Sequence, residues 1–89
     1  MRAVITVIGK DRVGIIAGVS NILASCNVNI LDISQTIMQD MFTMVMLVDI
    51  SNMCSDFSSL SDQLEAKGNE LGLVIKIQHE DIFNSMHRI

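Results

Sequence analysis

Short apolar runs alternate with polar punctuation along this chain, and the periods of those runs predict six elements. Residues 3–8, AVITVI, are β-branched and apolar on both faces, the pattern of a central strand. From about Arg12 to Cys26 the apolar positions repeat at helical spacing. Ile15, Val19, Ile22 and Cys26 form the stripe, and Ile16 and Leu23 widen it. Asp11 is placed to cap this helix and Asn27 to stop it. Residues 28–38, VNILDISQTIM, are a strand of mixed polarity, which suits a half-covered sheet edge. After a turn at Gln39 and Asp40, MFTMVMLVDI alternates cleanly. Phe42, Met44, Met46, Val48 and Ile50 take one face, and Thr43, Val45, Leu47 and Asp49 the other.

The rest of the chain holds one more helix and one more strand, with no sequence repeat, linker or low-complexity segment. SNMCS is a loop, and a helix begins near Asp56 with Phe57, Leu60, Leu64 and Leu71 facing inward and Gly72 as its stop. Gly68 inside that helix weakens it by up to ~1 kcal/mol relative to alanine. LVIKIQH is the last strand. The order β-α-β-β-α-β, with right-handed crossovers, predicts an α+β ferredoxin-like sandwich: a four-stranded antiparallel sheet, strand order 4-1-3-2, with both helices on one face. Residues 3–79 form this domain. Residues 80–89, EDIFNSMHRI, make a tail whose Ile82, Phe83 and Met86 fall on one side of a short helix. That side suits self-association or solubility rather than ligand binding.

Composition adds a second interface. Of 89 residues 49% are hydrophobic and only 18% charged, with a mean hydropathy of +0.45. So small a domain leaves a large share of its surface wet, so the apolar excess predicts a homo-oligomer, with a monomer of apolar surface as the alternative. The net charge is -4, and three phenylalanines are the whole aromatic complement. Neither a basic stripe nor a stacking platform is present, which argues against nucleic acid as a partner. No apolar run approaches ~18 residues, so no membrane helix is expected. The opening MRAVITVIGKDR has too short an apolar core for a signal peptide, and a cytoplasmic location follows as the expectation. Cys26 and Cys54 lack any ligand spacing and read as reduced thiols, one on a helix and one in a loop, with a disulfide as the lesser reading.

Chemistry has to be sought where the first strand hands over to the first helix, at GKDRVG. Copper chaperones of this topology carry CxxC in that loop, and this chain has no sulfur there. Met44 and Met46 sit at strand spacing and read as core filling. His79 and His87 lack partners at ligand spacing and read as solvated or interface residues. No metal and no cofactor is expected. Acylphosphatases share the topology and use an arginine at this corner, but their glycine-rich loop is missing. No nucleophile–base pair is legible elsewhere, so the chain is not expected to be an enzyme. What the corner does offer is anion capture: a helix start with unpaired N–H groups, the positive end of the helix dipole, and Gly14 to allow close approach. Asp11 adds reach for an ammonium. The same residues read equally as a plain cap, a packing glycine and solvated charges.

The stretch DRVGIIAGVSNILASCNVNILDISQ resembles the ACT domain, the small-molecule regulatory module of amino-acid metabolism. Its signature, Asp-Arg-Pro-Gly before an apolar helix and Asn-Ile opening the second strand, is matched by Asp11, Arg12, Gly14, Ile15, Asn29 and Ile30. Val13 stands where proline is usual, which loosens the helix entry without removing a ligand-facing group. The resemblance spans residues 3–79 and is nearest to stand-alone bacterial ACT proteins related to the glycine-cleavage-system repressor. It implies a homodimer joined through edge strands, with an amino acid at the subunit interface. Asp11, Arg12, Val13, Gly14 and Ile15 would come from one chain, and Asn29 and Ile30 from the other. Such a module would act through a regulatory protein partner. A structural dimer without ligand is the alternative, and an acylphosphatase-like enzyme the lesser one.

Overall fold

The computed structural model describes residues 1–86. The expectations for His87 and for the side chains of Phe83 and Met86 lie outside the described residues. The elements are β1 (Arg2–Lys10), α1 (Ile15–Ser25), β2 (Asn29–Met38), β3 (Met41–Asp49), α2 (Phe57–Leu71), β4 (Leu73–His79) and α3 (Glu80–Met86). The sheet has four strands in the order β2-β3-β1-β4, antiparallel throughout. This is the expected ferredoxin-like arrangement, with β1 and β3 central and β2 and β4 at the edges.

Strand alternation builds the core. Ala3, Ile5 and Val7 of β1 lie level with Val48, Met46 and Met44 of β3, and Ile77 and Ile75 of β4 continue two of those rows. All eight are buried beneath the helices. From α1 and its C-cap come Ile15, Val19, Leu23 and Cys26, and from α2 Leu60 and Leu64. The stripe on α1 therefore lies slightly to one side of the predicted one. Ile22 is half-buried, and Ile16 turns outward, 42% exposed, toward β2.

Both helices end on left-handed residues or close to them. Asp56 caps α2 by accepting from the Ser59 N–H at 2.7 Å, and Gly72 closes it at φ 73. Asn27, one residue past the α1 C-cap, takes φ 59. Gly68 faces inward where α2 crosses β4, and a Cβ there would stand 2.8 Å from the Leu73 carbonyl oxygen. The helix gives up propensity to let the strand approach.

Helix α3 packs against β1 and β4 of its own chain, and Arg2 holds it through Glu80 at 2.9 Å. His79, expected to be solvated or at an interface, is half-buried and stacks on Phe57 with ring centroids 4.3 Å apart.

Candidate functional site

The first helix starts three residues later than its spacing predicts. Its N-cap is Gly14, in the left-handed region at φ 93, and no side chain caps the first turn. Asp11 is therefore not the cap. Its backbone N–H instead donates to the Asp40 carbonyl at 2.7 Å, tying the corner to the β2–β3 turn. Arg12, Val13 and Gly14 make the turn into the helix, with Val13 at its tip, 97% exposed. Left-handed backbone at Gly14 is what allows so abrupt an entry, because a side chain there would meet its own carbonyl. A Cβ at Gly14 would meet nothing within 4 Å, so the space in front of the first turn is open.

The Arg12 guanidinium is engaged on α2. Its Nη1 donates to the Leu71 carbonyl at 3.0 Å, at the C-terminal end of α2. The charge suits the negative end of that helix dipole. The corner is thus held from two sides, by β2–β3 through Asp11 and by α2 through Arg12.

A cleft of about 270 Å³ opens beside the corner. Asp11, Arg12, Gly14, Ile15, Ile16 and Ala17 form one wall, and Gln35, Ile37 and Phe42 the other. Periodicity could have found Gln35 and Ile37, since they share a strand face with Ile33; which residues face them needs the fold. Ile16, Ile33 and Ile37 are 42%, 40% and 52% exposed, so the rim of this cleft along β2 is apolar and uncovered.

Asn29 and Ile30 are elsewhere. Asn29 lines a second cleft, of about 290 Å³, with Ala24, Asn27, Val28, Asp49 and Asn52. Its neighbour Ile30 is half-buried and packs against the core. This cleft lies at the far end of α1, an 11-residue helix that spans ~16 Å at 1.5 Å per residue. Within one chain, the seven candidate residues divide into two groups too far apart for one small molecule.

β2 connects the two clefts. It is a ten-residue edge strand, exposed at every position from Leu31 to Met38. A bulge falls between Ile30 and Asp32, and the Ile33 N–H donates to the Asp32 carboxylate at 2.9 Å. Bulges and charges of this kind guard a free edge against indiscriminate pairing. The half of the strand beyond them, bearing Ile37 and Met38, carries no charge until Asp40. Among the described residues no group of three or more His, Cys, Asp or Glu side chains is disposed to hold a metal ion, and no helix is long and apolar enough to cross a membrane.

Residues 2–78 match the family model of the ACT domain. Over 88 residues, covering 99% of this chain and 98% of the relative, the sequence is 60% identical to a UPF0237 protein of Methanocaldococcus jannaschii. Among solved structures, an ACT domain protein from Streptococcus pneumoniae superposes with a TM-score of 0.80 at 46% identity, covering 98% of both chains. A proposed glycine cleavage system transcriptional repressor superposes with a TM-score of 0.75 at 26% identity; the match covers 86% of this chain and 44% of that one.

Proposed function

This chain belongs to the ACT domain family, whose members are regulatory ligand-binding modules, and we propose that it binds an amino acid between two copies of itself. The observation that carries this reading is the division of the candidate residues. Asp11–Ile15 stand at one end of α1 and Asn29 at the other, joined by a single uncovered edge strand.

Two copies of β2 lying antiparallel about a two-fold near Ile33 bring the Asn29 end of one beside the Ile37 end of the other. Ile37 is on the wall of the corner cleft, so each corner gains the partner's Asn29. The uncapped N–H groups of the first turn of α1 take the carboxylate, helped by the helix dipole. Asp11 takes the ammonium, and the partner's Asn29 supplies an amide able to donate and accept. Arg12 acts by holding the corner on α2. The apolar rim of Val13, Ile16, Ile33 and Ile37 is then covered by the second copy. Ligand binding strengthens that pairing, and the dimer's altered surface is what a regulatory protein partner reads.

The test is a thermal-shift screen of the twenty amino acids followed by calorimetric titration. A ligand that binds only the folded state raises Tm by mass action. Asn29→Ala removes a hydrogen bond to a charged ligand group and should lower affinity by roughly ten- to hundredfold. Equal affinities would take Asn29 out of the site. If none of the twenty shifts Tm, the protein is a structural dimer instead.

A further inference from the structure

The sequence separates Cys26 and Cys54 by a strand pair, but the fold returns them to each other. Cys26 follows the last turn of α1 and is buried, its Sγ 3.8 Å from Oε1 of Gln63. Cys54 is exposed in the loop between β3 and α2. Its backbone N–H donates to the Cys26 carbonyl at 3.0 Å, and its Sγ lies 3.5 Å from the Ser25 carbonyl. A single backbone hydrogen bond of that length keeps the two Cα atoms within roughly 7 Å of each other, inside or at the outer edge of the ~4.4–6.8 Å that a disulfide spans. The same loop is fastened to the same turn once more, by Asn27 Nδ2 on the Asn52 carbonyl at 2.8 Å.

We propose that Cys26 and Cys54 are a redox-active dithiol that closes to an intramolecular disulfide when a hydroperoxide is the oxidant. The exposed Cys54 reacts first. Its thiolate attacks one peroxide oxygen; the S–O bond forms, the O–O bond breaks, and the leaving oxygen departs protonated as an alcohol or water. Cys54 is then a sulfenic acid. Cys26 loses its thiol proton to solvent, turns its Sγ from Gln63 and attacks the Cys54 sulfur. The S–S bond forms and hydroxide leaves, taking up a proton as water. Two thiols give up two electrons and the peroxide accepts them.

Closure fixes the α1–β2 turn to the loop on the opposite wall of the Asn29 cleft, where Asn52 stands. The oxidised form is therefore stiffer at the start of β2, and a crosslink enclosing β2 and β3 raises Tm. This dithiol does not depend on the ligand reading, and its test uses no ligand.

The reduced full-length protein is treated with a slight excess of hydrogen peroxide, alkylated, and weighed intact without reductant. The expected product is a monomer lighter by two hydrogen atoms, unalkylated, whose peptide map links Cys26 to Cys54 and whose raised Tm returns to the reduced value with dithiothreitol. Cys54→Ser, an exposed substitution that leaves the core intact, should abolish the lighter species. Cys26→Ser should leave a sulfenic acid on Cys54 that dimedone captures. Two alkylated thiols after full peroxide treatment, or crosslinks only between chains, would overturn the proposal, and both are read on the wild-type protein whatever the variants do.

Discussion

Arg12 and Leu71, 59 positions apart in the chain, are joined by a hydrogen bond of 3.0 Å from a guanidinium nitrogen to a backbone carbonyl. The resemblance to the ACT signature implies a place for Arg12 at the mouth of a ligand site. Its side chain is spent on the end of α2, so its contribution to the corner is positional.

Arg12→Ala should therefore destabilise the fold. A charge-assisted bond to a helix C-terminus that remains partly in water contributes about 0.5–1 kcal/mol, or ~2–8 °C in Tm for a domain of this size. Urea unfolding at fixed protein concentration measures it. An unchanged midpoint would mean the guanidinium gains nothing at Leu71 over water.

The same contrast shows what was legible beforehand. The β3 run from Phe42 to Ile50 declared both of its faces, because alternation is a local signal and burial followed it. Asp56 and Gly72 declared the ends of α2 for the same reason. At the first helix two local signals competed. Asp11 has the chemistry of a cap and Gly14 the conformational freedom, and the tie to Asp40, across the sheet, decided for Gly14. The separation of Asn29 from the corner, the turn of Arg12 toward Leu71 and the meeting of Cys26 with Cys54 are all long-range, and no window of sequence contains them.

Gly68 tests the packing of α2 on β4. On an exposed helix face, alanine in place of glycine would gain up to ~1 kcal/mol. Here its Cβ would lie 2.8 Å from the Leu73 carbonyl oxygen and 3.2 Å from Ile75 Cγ1. The nearer neighbour is backbone and cannot rotate away, and overpacking of this kind costs about 1–3 kcal/mol. Gly68→Ala should lower stability despite the better propensity. A rise in the urea midpoint would show that helix and strand separate freely.

Asp49 makes a pH prediction. Hydrogen bonds from the Ser51 side chain and then its backbone N–H hold the carboxyl below its usual value, with the N-terminal ammonium and Arg2 adding smaller attractions against a slight cost of desolvation. A carboxylate with a depressed folded pKa stabilises the protein above its unfolded value near 3.8, and that contribution fades as pH falls through the folded value. Wild type should therefore exceed Asp49→Asn in Tm at pH 6, by a small margin because the group is solvent-exposed. The two should converge once pH has fallen through that lowered folded value. A constant gap across that range would show that the Ser51 bonds do not distinguish the ionised carboxyl.

The last prediction decides which edge of the sheet pairs. Ile37 on β2 and Val74 on β4 are exposed to similar degrees, 52% and 56%, on opposite edge strands. Neither belongs to the core, so a lysine at either site should leave the fold intact, within the ±0.5 kcal/mol usual for surface changes. Their effects on association should differ. At a two-fold through β2, Ile37→Lys sets a charge on the apolar rim that the second copy covers, and does so twice. Burying an unpaired ammonium there costs more than the interface can return. Val74→Lys leaves β2 untouched. Sedimentation equilibrium at micromolar concentration should give twice the chain mass for wild type and Val74→Lys, and a single chain for Ile37→Lys. The opposite pattern would move the interface to β4 and separate Asn29 from the corner in the dimer as well, and a wild-type monomer would remove the shared site altogether.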